Sequence, residues 1–201
     1  MNKKLLVING TYRKGKSIDT LLEHVINGTE KNNNLDIEHI HLINKNIEYC
    51  KNCMVCRNEK TDNNIAHCII NDDMQEIYKK IEEADYYVFA SPINMGTATA
   101  VMKTFLERTC WIFAQPGTKP VDGCPMPRLK AKKRAVILLT SGVIIPLFRR
   151  WCDDATSLIK SFCQYALNTK VVDSLYAGAV EKRGVSRYFK PAYKLGTKLV
   201  S

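Results

Sequence analysis

The chain has 201 residues, of which 45% are hydrophobic and 25% are charged, and its formal net charge at neutral pH is +10. This length and composition are typical of one globular domain with its own core, so we expect a single domain over residues 1–201. No apolar run approaches the roughly 20 residues that span a bilayer, and the N-terminus lacks the features of a signal peptide. We therefore expect a cytoplasmic protein that has no membrane partner.

The positive charge does not by itself indicate a nucleic-acid-binding protein. Basic residues are scattered along the chain, and the densest cluster, at residues 130–134, directly precedes a predicted strand. Such clusters are typical of solvated surfaces, and an anionic cofactor together with an anionic nicotinamide nucleotide accounts for the surplus equally well. We therefore expect no nucleic-acid partner.

Apolar periodicity predicts strands and helices that alternate along the whole chain. The predicted elements, in order, are a strand at 3–9, a helix at 17–29, a strand at 36–43, a helix from 72 or 73 to 83, a strand at 85–90, a helix at 98–113, a strand at 135–139, a helix at 146–167, a strand at 171–176 and a helix at 192–200. Residues 48–68 and 115–128 are predicted to be loops. Since strands separated by helices pair in parallel, we expect a three-layer α/β/α sandwich around a five-stranded parallel sheet.

Local signals place some boundaries of these elements. Asp73 and Glu76 have the spacing of a capping box, which predicts the start of the second helix. Pro92 has no N–H to donate, so we expect the third strand to end before it. The carboxyl ends of parallel strands share one edge of the sheet, where such sheets bind ligands. The loops after the first, third and fourth strands should therefore converge on one site.

The loop after the first strand has the sequence of a phosphate-binding loop. Residues 10–17 read Gly-Thr-Tyr-Arg-Lys-Gly-Lys-Ser and match the nucleoside-triphosphate pattern G-x-x-x-x-G-K-[ST]. The same residues suit the single phosphate of flavin mononucleotide (FMN), because N–H groups at a helix N-terminus and basic side chains bind either anion. The residues predicted to bind the phosphate are Thr11, Arg13, Gly15, Lys16, Ser17 and Ile18.

The rest of the sequence favours the single phosphate. A P-loop NTPase also needs a carboxylate at the end of an apolar strand to hold magnesium. The two best candidate strands instead run into Ala-Ser-Pro at residues 90–92 and Leu-Thr-Ser at residues 139–141. A P-loop kinase or NTPase that uses Lys16 and Ser17 is therefore kept only as an alternative hypothesis.

Four motifs occur in a fixed order along the chain. They lie at Asn9–Arg13, Cys50–Met74, Ser91–Gly96 and Ala98–Arg108. Together they resemble motifs of the NADPH-dependent FMN reductases, and the second is similar to the branch of that family that includes iron–sulfur flavoproteins. The resemblance implies a flavodoxin-like fold and an FMN-dependent oxidoreductase with NAD(P)H as its co-substrate. It also implies a homodimer or homotetramer with the flavin near the subunit interface.

The resemblance further implies which residues surround the flavin ring. The loop after the third strand would line the ring with backbone N–H groups near N5 and O4, and the loop after the fourth strand would close its other side. Since flavin chemistry needs little acid–base help from the protein, we predict no catalytic side chain. A flavin electron carrier without NAD(P)H turnover is a further alternative. The residues expected at the ring are Pro92, Ile93, Asn94, Met95, Gly96, Ser141 and Gly142.

Cysteines form a second candidate site. Cys50, Cys53 and Cys56 are separated by two residues each, and Cys68 follows after eleven more. This pattern is compatible with thiolate ligands to a [4Fe–4S] cluster, with zinc ligands, or with free thiols in a flavin-only protein. A cluster would pass single electrons between FMN and a partner. The expected electron acceptor is a small molecule or a ferredoxin-like protein.

Overall fold

Five parallel strands form the central sheet of the computed structural model. They are β1 (Lys3–Asn9), β2 (Leu35–His41), β3 (Tyr86–Asn94), β4 (Lys133–Thr140) and β5 (Thr169–Ala177). Their spatial order is β2-β1-β3-β4-β5, so the order reverses between β1 and β3. The structure describes residues 2–30, 34–61, 64–117 and 125–201.

Five longer helices cover the two faces of this sheet. They are α1 (Ser17–Glu30), α2 (Met74–Glu83), α3 (Ala100–Phe113), α4 (Ala155–Tyr165) and α5 (Phe189–Val200). Short helical turns occur at Leu42–Asn44, Val55–Asn58, Pro146–Trp151, Val180–Arg183 and Ser186–Tyr188. Short strands occur at Thr97–Ala98, which pairs with the end of β3, and at Ala114–Pro116, which pairs with Pro125–Pro127. Within the described residues, no helix combines the length and the apolar character needed to cross a bilayer.

The sheet has two separate hydrophobic cores because both of its faces are covered. Along β1, Leu6 and Ile8 face the core under α2, α3 and α4, whereas Leu5 and Val7 face the core under α1 and α5. These four side chains are at most 2% exposed. A strand that is buried on both faces consists of consecutive apolar residues, which is the sequence signal of a parallel sheet. The predicted three-layer architecture is confirmed.

The predicted end of the third strand is wrong. Pro92 stays in the sheet, where it pairs with Thr140 of β4, and β3 continues to Asn94. A proline lacks only the N–H, so one missing donor near the end of a strand does not stop the neighbouring pairs. The chain reverses instead at Met95 and Gly96, whose φ angles are +49° and +79°.

The predicted capping box of the second helix is also wrong. The carboxylate of Asp73 accepts the N–H of Asn46 (2.8 Å), and it is Asp72 that accepts the N–H of Met74 at the helix start (3.1 Å). The spacing of Asp73 and Glu76 is therefore coincidental. Asp73 is used by a tertiary contact that the local sequence does not reveal.

The predicted helix at 146–167 is interrupted. Residues 146–151 form a 3₁₀ turn, and α4 begins only at Ala155. The interruption is stabilised by Asp153, whose carboxylate accepts the N–H of Thr156 (2.9 Å), and by the N–H of Asp154, which donates to the carbonyl of Gly96 (2.8 Å). The predicted loop at 115–128 contains the hairpin described above, and residues 118–124 lie outside the described part of the chain.

Helices α1 and α5 cross at two glycines. A Cβ atom at Gly28 would lie 2.1 Å from the carbonyl oxygen of Tyr193, and one at Gly196 would lie 1.9 Å from that of Val25. These distances are far inside van der Waals contact. The two backbones can therefore approach this closely only because neither position has a side chain.

We predict that Gly196→Ala destabilises the protein, because the new methyl group forces α1 and α5 apart. Overpacking of a well-packed contact costs about 1–3 kcal/mol, and more where the backbone cannot yield. The expected result is a lower midpoint of urea unfolding, measured by circular dichroism. Lys194→Ala, at an exposed position of the same helix, is the control and should leave the midpoint nearly unchanged. A Gly196→Ala variant of parental stability would contradict the close approach.

Candidate functional site

A cleft of about 220 Å³ lies at the carboxyl edge of the sheet, where the strand order reverses. The loops after β1, β3 and β4 meet there, together with the helical turn that follows β5. Parallel α/β sheets bind ligands at this topological position. The predicted residues that line the cleft are Thr11, Arg13, Lys16, Ser17, Ile18, Pro92, Ile93, Asn94 and Gly142.

The other predicted residues shape the loops and do not line the cleft. Gly15 (φ +67°), Met95 and Gly96 all have positive φ angles and form the turns of their loops. The Met95 side chain is fully exposed. Ser141 is buried, and its hydroxyl accepts the N–H of Ile144 (3.3 Å). These four residues therefore contribute to the site through the backbone conformation.

The loop after β1 is held by two polar residues, Asn9 and Asp19. The side-chain amide of buried Asn9 donates to the Asp19 carboxylate (2.7 Å), and its oxygen accepts the N–H of Thr11 (3.0 Å). The other carboxylate oxygen of Asp19 accepts the N–H of Gly15 (2.6 Å). The hydroxyl of Thr11 accepts the N–H of Arg13 (3.2 Å). The loop conformation is therefore fixed before any ligand binds.

The same contacts distinguish this loop from a nucleoside-triphosphate loop. In a triphosphate site the backbone N–H groups of the loop face the phosphates. Here the N–H of Gly15 is already used by Asp19, which also brings a negative charge to the loop. The donors that remain for an anion are the first N–H groups of α1, which have no partner within the helix, and the side chains of Thr11, Arg13 and Ser17. This donor set fits one phosphate.

Four of the described residues that line the cleft are not among the predicted binding residues. The most informative of them is Glu181, which follows β5. The N–H of Glu181 donates to the carbonyl of Gly142 (3.1 Å), and a Cβ atom at Gly142 would lie 2.7 Å from the Glu181 carboxyl carbon. No local pattern reveals this contact, because it depends on the pairing of β4 with β5. The four residues are Tyr12, Thr140, Val180 and Glu181.

The structure gathers the four predicted cysteine ligands in one region without bringing them to one point. Cys50 and Cys53 are exposed, whereas Cys56 and Cys68 are partly buried against the core under α2, α3 and α4. Burial raises the pKa of the Cys56 thiol, and the charges of Cys68, Cys50 and Cys53 raise it further. Among the described residues, however, no three side chains of histidine, cysteine, aspartate or glutamate are arranged to hold a metal ion.

A buried ion pair fixes both ends of the cysteine-bearing segment. The Arg108 guanidinium makes two hydrogen bonds to the Asp72 carboxylate (2.6 and 3.1 Å), and both side chains are at most 1% exposed. Arg108 also donates to the carbonyl of Glu48 (2.7 Å) and to the sulfur of Cys68 (3.5 Å). Burial is the largest single influence and disfavours both charges. It is outweighed by the sum of the hydrogen bonds and the charge attraction between the two groups and, for Asp72, the N–H groups of Glu48 and Met74, so the pKa of Arg108 is raised and that of Asp72 is lowered.

Comparison with solved structures shows the fold. A flavone reductase superposes with a TM-score of 0.69 at 18% identity, covering 98% of this chain and 62% of that one. An NAD(P)H:quinone oxidoreductase from Methanothermobacter marburgensis gives a TM-score of 0.69 at 14% identity, covering 99% of this chain and 100% of that one. An FMN-dependent NADH-azoreductase from Bacillus anthracis gives 0.67 at 15% identity, covering both chains completely. The predicted flavodoxin-like fold is confirmed.

Comparison with characterised proteins identifies relatives of this chain by sequence. An iron-sulfur flavoprotein of Archaeoglobus fulgidus is 32% identical over 105 residues, which are 52% of this chain and 44% of the relative. An iron-sulfur flavoprotein of Methanosarcina thermophila is 29% identical over 106 residues, which are 53% of this chain and 52% of the relative. The chain thus matches about half the length of these relatives. The family model described as NADPH-dependent FMN reductase matches residues 3–143, most of the chain, and the chain therefore belongs to the NADPH-dependent FMN reductase family.

Proposed function

We propose that this protein is an FMN-dependent oxidoreductase that takes electrons from NAD(P)H and passes them to an acceptor. The observation that carries this proposal is the cleft at the switch point of the sheet, whose donors fit one phosphate. Membership of the family and the names of the relatives support the same chemistry. When bound, FMN supplies the redox chemistry itself, since it accepts hydride and releases electrons singly or in pairs.

The residues of the cleft divide into two groups with different tasks. The N–H groups at the start of α1, the hydroxyls of Thr11 and Ser17 and the charge of Arg13 would bind the phosphate. Lys16 adds a second positive charge at the rim. The backbone of residues 92–94 and the Cα atom of Gly142, which has no side chain, would border the ring. The buried residues of both loops keep these groups in place. No side chain of the cleft is assigned a proton-transfer role.

We predict that Arg13→Ala weakens FMN binding about tenfold or more, because a hydrogen bond to a charged group contributes about 1.5–3 kcal/mol. The dissociation constant is measured from the quenching of FMN fluorescence. Lys14→Ala is the matched control, since Lys14 is an exposed cation of the same loop that does not line the cleft. Equal losses in both variants would mean that only the general positive charge matters.

The same titration separates the proposal from the P-loop alternative. FMN should bind without magnesium, and MgATP at millimolar concentration should not displace it, because Asp19 occupies the N–H of Gly15. Magnesium-dependent ATP binding that is lost in Lys16→Ala would contradict the proposal. Flavin reduction without turnover of NADH or NADPH would instead identify a flavin electron carrier.

We also propose that Cys50, Cys53, Cys56 and Cys68 ligate a [4Fe–4S] cluster. Four thiols in one region are the donor set that such clusters use, and two relatives bear the name iron-sulfur flavoprotein. The described arrangement does not converge on one point. Cluster binding therefore requires the exposed part of the loop, where Asn52 and Met54 have positive φ angles, to close toward Cys56.

We predict that protein purified without oxygen contains iron and acid-labile sulfide in a ratio of about one to one. Cys53→Ser should lose the metal, because it removes a thiolate ligand, and Cys152→Ser, directly after the 3₁₀ turn that follows β4, should retain it. The measurement is elemental analysis together with the absorbance spectrum. Zinc in place of iron would identify a zinc site, and titratable thiols without metal would identify free cysteines. Either result would contradict the iron–sulfur cluster.

The exposed apolar side chains beside the cleft support a homodimer. Leu147, Phe148 and Trp151 lie on the turn that follows the β4 loop, with exposures of 78%, 47% and 76%. Contiguous exposed apolar side chains next to a ligand site are typical of interaction surfaces. We propose that a second copy of the chain covers them and closes the open side of the cleft.

We predict that Leu147→Asp shifts the protein from dimer to monomer, because a charge in the centre of an apolar contact is desolvated without a partner. Molar mass from light scattering after size-exclusion chromatography measures this change. Ile69→Asp, at a comparably exposed apolar position near the cysteine segment, is the control and should leave the mass unchanged. A parent protein that is monomeric at micromolar concentration would refute the dimer.

A further inference from the structure

A second pocket of about 280 Å³ adjoins the cofactor cleft at Tyr12. Among the described residues, Tyr12 is the only one that lines both cavities. The walls of the second pocket come from the helical turn that follows β2, the segment that leads into the cysteines, and the first turns of α3. Its lining residues are Tyr12, Leu42, Ile43, Lys45, Ile47, Tyr49, Ala100, Val101 and Thr104.

The floor of this pocket is apolar and its rim is aromatic. Leu42 is buried, and Ile47 and Val101 pack against the core under α2, α3 and α4. Tyr12 and Tyr49 stand at the rim, 43% and 78% exposed. Small-molecule sites in proteins combine an apolar surface with a few placed polar groups, and tyrosine rings stack on planar ligands. This surface therefore suits a flat aromatic ligand.

The one cation among the described residues that line the pocket, Lys45, makes a long ion pair with Glu76, which lies outside the pocket. Among the described residues that line the pocket, Lys45 carries the only charge, and no carboxylate is present. The nearest carboxylate, that of Glu76, lies 4.0 Å from the Lys45 ammonium and is hydrogen-bonded to Lys80 (2.5 Å). An anionic group on a ligand would therefore find a positive charge that is not neutralised by the pocket itself.

The wall that carries Lys45 and Tyr49 is rigidly held. The N–H of Asn46 donates to Asp73 (2.8 Å), and the N–H of Asp73 donates back to the carbonyl of Asn46 (3.1 Å). The N–H of Glu48 donates to Asp72 (2.9 Å), whose carboxylate is itself fixed by Arg108. The pocket is therefore formed without a ligand, which lowers the entropic cost of binding.

We propose that this pocket binds a planar aromatic molecule that carries an anionic group. The aromatic rings of Tyr12 and Tyr49 hold the flat part of the ligand over the apolar floor, and Lys45 pairs with the anionic group. The inference does not depend on the redox function proposed for the neighbouring cleft. Its test is therefore a binding measurement and not an activity.

The probe is anthraquinone-2-sulfonate, titrated by calorimetry into the 201-residue protein with and without saturating FMN. We expect saturable binding in both cases. Tyr49→Ala should weaken binding about tenfold through loss of the stacking ring. Lys45→Met should lower the affinity for the sulfonate to that measured for neutral 2-(hydroxymethyl)anthraquinone. The neutral probe should bind to Lys45→Met and to the parent protein with equal affinity. Val101→Trp, which fills the pocket, should abolish binding of both probes.

Two matched variants test the location of the probe. Tyr165→Ala and Lys103→Met change the groove between α3 and α4, a separate apolar cavity, and should leave the affinity unchanged. Weakening by these variants but not by Tyr49→Ala would overturn the inference, as would displacement of the probe by FMN or an absence of saturable binding. Circular dichroism confirms folding, and Tyr49, being 78% exposed, is a safe position for substitution.

Discussion

The buried pair of Arg108 and Asp72 connects the parts of this protein that the sheet alone does not fix. Arg108 belongs to α3, whereas Asp72 precedes α2, and their hydrogen bonds extend to the backbone of Glu48 and to the sulfur of Cys68. Removing one partner of such a pair leaves a buried charge and costs about 3–5 kcal/mol. The beginning and the end of the cysteine segment are therefore held by one interaction, which also supports the wall of the second pocket.

A second constraint, the parallel sheet, acts on the cofactor cleft. Because β1, β3 and β4 run in the same direction, their following loops meet at one edge. Each loop is then fixed by buried polar contacts, such as Asn9 with Asp19, or by residues with positive φ, such as Met95 and Gly96. A ligand thus meets donors that are already oriented, and little ordering of the protein is needed on binding.

The two constraints explain why the candidate sites are neighbours. The loop after β1 contributes Tyr12 to both the cleft and the second pocket, and the wall of that pocket continues directly into Cys50. The proposed phosphate cleft, the proposed aromatic pocket and the four thiols are therefore neighbours. This arrangement follows from the positions of the β1 loop, the β2 exit and the start of α3.

The sequence by itself determined the layers, the five strands, the glycine-containing loop after β1 and the family, because these depend on periodicity and on short motifs that are local in the chain. It misplaced the end of β3 and the cap of α2, where Pro92 and Asp73 serve contacts with distant segments. Only the tertiary structure decided that Glu181 enters the cleft beside Gly142 and that Arg108 holds Cys68. The physical reason is that hydrogen bonds and close approaches between segments far apart in sequence leave no periodic signal.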